Sequence, residues 1–172
     1  PSPEAADALA DLLRAAERPI VIAGGDLDRP PGPGKMDGRT ALLEFAERWQ
    51  VPVAVSFRRQ DLFPNAHPLY AGDMGLSNPK AQRDVFARAD LVIALGTRLG
   101  DITTQGYSFP APGQRLVHVC ADASWLGWRF QTDLALAAHA MPVLAALAGR
   151  NAAAPSARAA WNAELRALHS AD

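Results

Sequence analysis

The feature that most constrains the fold is a short, uninterrupted apolar run near the middle of the chain, Leu91–Leu95. Asp90 precedes it and Gly96 follows it, and a run this short is typical of a strand that is buried on both faces. A polar loop with Arg98 and Asp101 comes next. Because open parallel sheets bind ligands beyond the carboxyl ends of their strands, the stretch predicts a core strand and one edge of a site. A plain strand with a glycine turn explains it equally well.

Similar apolar runs recur along the chain, separated by segments with the spacing of amphipathic helices. We predict five firm strands and a weaker sixth, at residues 19–23, 51–55, 91–95, 116–120 and 133–138, and at 69–71. We predict helices at residues 3–17, 38–50, 79–88, 124–130, 140–148 and 157–169. This alternation predicts an α/β protein: a three-layer, Rossmann-like, doubly wound parallel sheet of five to six strands with helices on both faces.

Size and composition narrow the class of protein further. The chain has 172 residues and a formal net charge of −1, without a run of basic residues, so we expect no nucleic-acid or membrane partner. The single cysteine, Cys120, excludes an internal disulfide framework and a multi-cysteine zinc site. With no signal peptide or long apolar span, a cytoplasmic location is expected. Because the first residue is Pro1, we expect the chain to be a piece of a longer polypeptide.

Several segments occur in an order that resembles one known family. They are RPIVIAGG at residues 18–25, AERWQVPV at 46–53, FPNAHPLYAG at 63–72, ADLVIALGTRLGD at 89–101 and PGQRLVHVCAD at 112–122. Together with the strand at 133–138 and its helix, they resemble the central domain of thiamine-diphosphate-dependent enzymes such as acetolactate synthase and benzoylformate decarboxylase. The resemblance covers residues 18–149, so we assign residues 1–150 to this domain and 151–172 to a linker and a terminal helix that leads toward the next domain.

The resemblance implies a parent enzyme, a lyase or transferase, in which other domains carry the chemistry. Thiamine diphosphate and Mg²⁺ would be bound outside this chain, by flanking pyrimidine-binding and diphosphate-binding domains. The parent would be a homodimer or a homotetramer. The central domain of such enzymes serves as a spacer and assembly surface, and in some members it binds flavin adenine dinucleotide or another nucleotide. We therefore expect no catalytic residue in this chain.

The resemblance also supplies a candidate nucleotide site, made of Gly96, Arg98, Asp101 and Asp122. A glycine lets the backbone approach a phosphate or a planar ring, and an arginine can fork onto phosphate oxygens. The alternative is that Arg98 pairs with Asp101 or with a neighbouring domain. These two readings correspond to the two functions that we carry forward: an empty, non-catalytic spacer, or a module that holds flavin or ADP at the carboxyl ends of the strands.

Three departures from the pattern of flavin-binding members favour the empty spacer. The segment SFRRQD at residues 56–61 lacks the glycines that bring this loop close to a flavin. Cys120 stands where the family often has an aspartate, which would accept hydrogen bonds from a ribose. Ala138 and His139 replace a glycine–aspartate pair that adjoins the adenine. FAD or ADP therefore remains the second choice of ligand.

Other patterns in the sequence point to no further chemistry. The segment PPGPGK at residues 30–35 lacks the spacing of a phosphate loop and contains prolines without N–H donors. No histidine pair has ligand spacing, so we assign no metal. An NAD-dependent deacylase is a third possible function, but such enzymes usually carry a four-cysteine zinc module and this chain has one cysteine. Trp125 and Trp128 would share one face of the predicted short helix, where they pack on their own sheet or contact a neighbouring domain or subunit.

Overall fold

The computed structural model describes residues 1–169, and at its centre lies a sheet of six parallel strands. The strands are β1 (Pro19–Ala23), β2 (Val53–Ser56), β3 (Tyr70–Met74), β4 (Leu91–Leu95), β5 (Arg115–Val119) and β6 (Leu134–Leu136). Their order across the sheet is β3-β2-β1-β4-β5-β6. The predicted fold class is confirmed, and the weaker sixth strand exists, although β3 is longer than predicted and ends three residues later.

Helices cover both faces of the sheet, because β1, β2, β4 and β5 direct apolar residues to each side in turn. The helices are α1 (Pro3–Ala15), α2 (Gly38–Trp49), α3 (Lys80–Phe86), α4 (Asp101–Thr104), α5 (Ala140–Ala148) and α6 (Arg158–Ala167). Helices α1, α2 and α5 pack on one face, against a cluster that includes Val21 and Ile93. Helices α3 and α6 pack on the other face, where Ile22 and Val92 are buried.

Helix α5 follows the edge strand β6 and shares a buried cluster with Leu136 of that strand and with the central strands. It contacts α1 and α2 and lies over the middle of the sheet, although β6 is an edge strand. The cause is its apolar stripe, in which Val143, Leu144 and Leu147 are buried in the same cluster as β1 and β4. As a result, the start of α5 lies near the carboxyl end of β1.

Helix α6 is tied to the sheet by a buried arginine and a tryptophan. The guanidinium of Arg158, only 1% exposed, donates to the carbonyl oxygens of Leu13, Ala16 and Trp49, at the ends of α1 and α2. These carbonyls have no partner within their own helices, so the guanidinium satisfies them. Trp161 is 3% exposed and donates its indole N–H to the Pro19 carbonyl at 2.7 Å.

Two local predictions are wrong. The helix predicted at residues 124–130 is only a single turn of 3₁₀ helix, Ala123–Trp125. Gly127 follows with a φ of +73°, a left-handed conformation that ends the helical path. The predicted polar loop after β4 contains a helical turn, α4, which begins at Asp101 and ends before Gln105 adopts a left-handed conformation.

Candidate functional site

The sheet has its topological switch point between β1 and β4. These strands are neighbours, with Val21 opposite Ile93, and the chain proceeds from them toward opposite edges of the sheet. Such a point leaves a crevice at the carboxyl ends of the strands, which is where open α/β sheets bind ligands. Here the crevice is a cleft of about 680 Å³, bordered by the segments that follow β1, β2, β4 and β5.

At the base of this cleft two strand exits come into direct contact. A Cβ atom on Gly24 would lie 2.5 Å from the Gly96 carbonyl oxygen, so no other residue fits at position 24 without a shift of the backbone. The Gly24 N–H donates to the Leu95 carbonyl at 2.9 Å, and the Asp26 N–H donates to the Gly96 carbonyl at 3.1 Å. Gly96 itself has a φ of +72°, which favours glycine.

All four residues that the sequence marks as a candidate nucleotide site border this cleft. Gly96 follows β4, and the exposed side chains of Arg98 and Asp101 come from the loop after it and the first position of α4. Asp122 follows β5, and its carboxylate accepts hydrogen bonds from the Ser124 hydroxyl at 2.6 Å and the Ser124 N–H at 3.0 Å. These bonds hold the pKa of Asp122 below its usual value.

One interpretation of the sequence predicts an ion pair between Arg98 and Asp101, and the described residues do not contain this pair. Within residues 1–169 the guanidinium of Arg98 forms no ion pair, and it lies over the indole of Trp125, 5.1 Å from the ring centroid. A cation over an aromatic face is attracted by the ring quadrupole. The side chain borders the cleft and donates no hydrogen bond within residues 1–169, so its N–H donors are available to an acceptor.

Burial disfavours the charged forms of two titratable groups near the cleft. His118 is 2% exposed, and its Nε2 lies 2.8 Å from the Thr97 carbonyl oxygen, which can only accept, so Nε2 carries the proton. Burial lowers the pKa of His118 from its usual value. Burial likewise raises the pKa of the Cys120 thiol, which lines the cleft. His118 is thus a satisfied core imidazole, as its position inside a predicted strand suggested.

The partner of Asp26, a residue that borders the cleft, could not be identified from the sequence. Asp26, which follows β1, accepts a hydrogen bond from His139 Nδ1 at 2.7 Å and another from the Ala140 N–H at 2.7 Å. The two segments are 113 residues apart in sequence. The double glycine at the end of a predicted strand was the one signal for Asp26, because it places the next residue at the carboxyl edge of the sheet.

Arg59 is the second residue of the cleft that the sequence reasoning did not single out. It comes from the segment after β2, and its guanidinium lies against Gly25, where an added Cβ would be 2.7 Å from Nη2. An ion pair with Asp28 at 3.4 Å holds it there. The side chain therefore covers the backbone just past β1, the place where a bound phosphate would approach the sheet.

Within the described part of the chain, no group of three or more His, Cys, Asp or Glu residues is arranged to hold a metal ion. In the same part, no helix has the length and apolar character required to cross a bilayer.

Comparisons with known proteins agree with this architecture. The family described as "Thiamine pyrophosphate enzyme, central domain" matches residues 6–147. A sulfoacetaldehyde acetyltransferase of Alcaligenes xylosoxydans xylosoxydans is 34% identical over 146 residues, which are 83% of this chain and 23% of that protein. A second sulfoacetaldehyde acetyltransferase, from Castellaniella defragrans, is 38% identical over 70% of this chain and 20% of that protein.

A relative with a different printed activity is the acetolactate synthase isozyme 1 large subunit of Escherichia coli K12. It is 30% identical over 153 residues, which are 89% of this chain and 25% of that protein. The chain thus spans about a quarter of the length of the curated relatives that it matches. The family match and the doubly wound sheet lead to the same conclusion: the chain belongs to the central domains of thiamine pyrophosphate enzymes.

Proposed function

We propose that this chain is the non-catalytic central domain of a thiamine-diphosphate-dependent 2-oxo acid decarboxylase or acetolactate synthase-like enzyme. The observation that carries the proposal is the family match over residues 6–147, combined with relatives of which the chain spans about a quarter. The chain would set the spacing between the flanking domains and contribute to assembly. The parent would be a cytoplasmic lyase or transferase.

In this proposal the reactive groups lie outside the chain. Thiamine diphosphate, when bound, supplies the chemistry of such enzymes by accepting the electrons released as carbon dioxide leaves a 2-oxo acid. A pyrimidine-binding domain and a diphosphate-binding domain would hold it with Mg²⁺, in a homodimer or a homotetramer. The residues described here would keep those two domains at a fixed distance, through a sheet that is buried on both faces.

The hydrogen bonds around the cleft support a structural role. The N–H groups of Asp26 and Leu27, just past β1, already donate to the carbonyls of Gly96 and Gly24. A dinucleotide would need such backbone donors for its pyrophosphate. The carboxylates of Asp26 and Asp122 are likewise engaged, with the first turn of α5 and with Ser124. These backbone donors and carboxylates are therefore satisfied by the chain itself, whereas the guanidinium of Arg98 is not.

A flavin- or ADP-binding module is the second candidate function, and a specific observation favours it. The cleft lies at the switch point, Gly24 and Gly96 bring two backbones into contact at its base, and Arg59 and Arg98 border it with two guanidinium groups. A diphosphate could replace the ion pair of Arg59 with Asp28. Cys120, however, offers no carboxylate to a ribose, and Arg59 covers Gly25.

Calorimetric titration with FAD and with ADP separates the two functions. The spacer proposal predicts no saturable heat with either nucleotide at concentrations up to about 1 mM. Saturable binding that Arg98→Gln weakens, while the distant exchange Arg14→Gln leaves it unchanged, would support the nucleotide module instead. Arg14 is a suitable control because it lies on α1 outside the cleft, where it pairs with Asp11 and donates to the Asn151 carbonyl at 2.8 Å.

The sequence on either side of this chain in its parent gene tests the proposal independently. We expect a domain with an activating glutamate upstream and a Gly-Asp-Gly…Asn metal–diphosphate motif downstream. The absence of both would overturn the assignment to a thiamine-diphosphate enzyme. The whole protein should also lose its decarboxylase or transferase activity on removal of thiamine diphosphate and regain it on addition.

A further inference from the structure

A second pocket, which shares Asp26 with the switch-point cleft, opens between α2, α5 and the loop at residues 29–37. It has a volume of about 690 Å³, which is within the range of roughly 300–1,000 Å³ that is usual for small-molecule sites. We propose that this pocket binds a small amphiphilic anion: an aryl or medium-chain alkyl group that carries one carboxylate or sulfonate. The inference does not depend on the proposed function.

The walls of the pocket are apolar, which argues for an apolar body in the ligand. Phe45 and Trp49 contribute from α2, and Met141 and Leu144 contribute from α5. Met36, on the loop, is 45% exposed although it faces this pocket. Methionine side chains adapt to irregular shapes and make favourable contacts with aromatic rings, so two of them suit a pocket for an aryl or alkyl group.

The loop that covers the pocket is fixed at both ends, so the pocket is formed without a ligand. At its second end, Gly38 lies so close to the Leu27 carbonyl oxygen that an added Cβ would be 1.9 Å away. There the Asp37 carboxylate accepts a hydrogen bond from the Thr40 N–H at 3.0 Å and begins α2. At its first end, Asp28 pairs with Arg39 of α2 at 2.6 Å.

The charges around the pocket favour an anion. The lining contains the cations Arg29, Lys35 and Arg48 and the carboxylates Asp26 and Glu44. Asp26 interacts with His139, the Ala140 N–H and Arg29, whereas Glu44 forms no ion pair among the described residues. The guanidinium of Arg48 donates to carbonyls at the end of α5. Lys35, in contrast, has no side-chain hydrogen bond or ion pair within residues 1–169, and its aliphatic stem packs on Gly32.

The imidazole of His139 supplies a second polar group without a protein partner. The Asp26 carboxylate can only accept, so His139 Nδ1 carries a proton, and this bond fixes the orientation of the ring. Nε2, on the opposite side of the ring, has no hydrogen-bond partner among the described residues, and the ring lines the pocket. An apolar pocket with Lys35 and a fixed imidazole has the features of a site for an amphiphilic acid.

Fluorescence titration of the whole protein that contains this chain, with anilinonaphthalene sulfonate as the probe, tests the proposal. We expect one saturable site per chain that octanoate empties, whereas neutral octanol competes at least about tenfold more weakly. Ala145→Phe, on the exposed side of α5 that borders the pocket, should abolish this site. Lys35→Gln should weaken the binding of octanoate about three- to tenfold, as expected for the loss of one charged hydrogen bond.

Lys80→Gln is the matched control, because Lys80 is exposed on α3 and pairs with Asp84 far from the pocket. It should leave the octanoate competition unchanged. Equal competition by octanol and octanoate, or an unchanged site in both Ala145→Phe and Lys35→Gln, would overturn the proposal. A complete lack of saturable probe binding would also overturn it. Because Lys35 is an exposed loop residue, its exchange tests binding without loss of the fold.

Discussion

Asp26 and His139, which follow β1 and β6, form a hydrogen-bonded pair beyond the carboxyl ends of these strands. Oδ1 of Asp26 lies 2.7 Å from His139 Nδ1, and Oδ2 accepts the first backbone N–H of α5, from Ala140, at 2.7 Å. A carboxylate at this position satisfies a helix donor that has no partner within the helix and interacts favourably with the helix dipole. The side chain that follows β1 thereby fixes where α5 begins.

Replacement of Asp26 by alanine should destabilise the fold. The Ala140 N–H would lose its acceptor in a half-buried site, so we expect a loss of about 1.5–3 kcal/mol in the free energy of unfolding. Asp26→Asn, which keeps one acceptor, should lose less. The control Asp11→Ala removes an exposed pair with Arg14 and should change the free energy of unfolding by less than about 0.5 kcal/mol. Urea unfolding that gives Asp26→Ala and Asp11→Ala the same stability would contradict this role.

Arg158 should be one of the most sensitive positions of the chain. Arg158→Met would leave the carbonyls of Leu13, Ala16 and Trp49 buried without a donor, at a cost of about 3–5 kcal/mol. Arg166→Met on the same helix removes longer bonds of 3.3 Å and 3.2 Å at a partly exposed site, and should cost less than about 1.5 kcal/mol. Thermal unfolding of the two variants compares them directly, and equal losses would rule out the proposed linkage of α1 and α2.

His118 should make the stability of the fold depend on pH below neutrality. Its pKa is lowered in the folded chain by burial, so the unfolded chain binds a proton more readily once the pH falls below about 6.5. Stability is therefore complete above that pH and decreases below it, by at most about 1.4 kcal/mol per pH unit. His118→Gln can still donate to the Thr97 carbonyl but does not titrate.

Urea unfolding at pH 7 and pH 5 measures this effect, and the other histidines contribute equally to both proteins. The natural chain should lose more stability between the two pH values than His118→Gln does. An identical loss in both would show that His118 is protonated as easily in the folded chain as in the unfolded one.

Trp128 should matter for assembly more than for stability. It is 54% exposed, contacts Trp125 edge-to-face at 5.3 Å and lies under the guanidinium of Arg129 at 4.3 Å. Exposed aromatic and arginine side chains are enriched in interfaces. Trp128→Ser should therefore shift the whole protein toward smaller species in light scattering, while Leu76→Ser, at a residue 80% exposed, should not. An unchanged oligomer distribution in Trp128→Ser would refute the interface.

The sequence predicts the sheet well because its strands are self-contained apolar runs. Five residues between Asp90 and Gly96 are sufficient to identify β4, and the alternation with helices indicates a parallel sheet. The strand after Pro68, β3, is harder to predict from the sequence, because it contains Gly72 and Asp73. Its bounds depend on its pairing with β2. The spacing of Trp125 and Trp128 predicts a helix around them, but Gly127 adopts a left-handed conformation that spacing does not reveal.

The site was predicted only as far as strand ends can be located. Gly96, Arg98, Asp101 and Asp122 each follow a strand, so a parallel sheet brings them to one edge. Asp26 and His139 could not be paired in this way, because β1 and β6 are not neighbours in the sheet. Their contact depends on the path of α5 across the sheet, which is set by tertiary packing and not by local sequence.

In the function that we propose, thiamine-diphosphate chemistry resides outside this chain. Calorimetry with thiamine diphosphate and Mg²⁺, performed on residues 1–172 after a cooperative thermal transition has shown that they are folded, and on the whole protein, tests it most directly. We predict saturable binding and release of carbon dioxide from a 2-oxo acid by the whole protein, and neither by residues 1–172 alone. Binding of thiamine diphosphate or turnover by residues 1–172 would contradict the account.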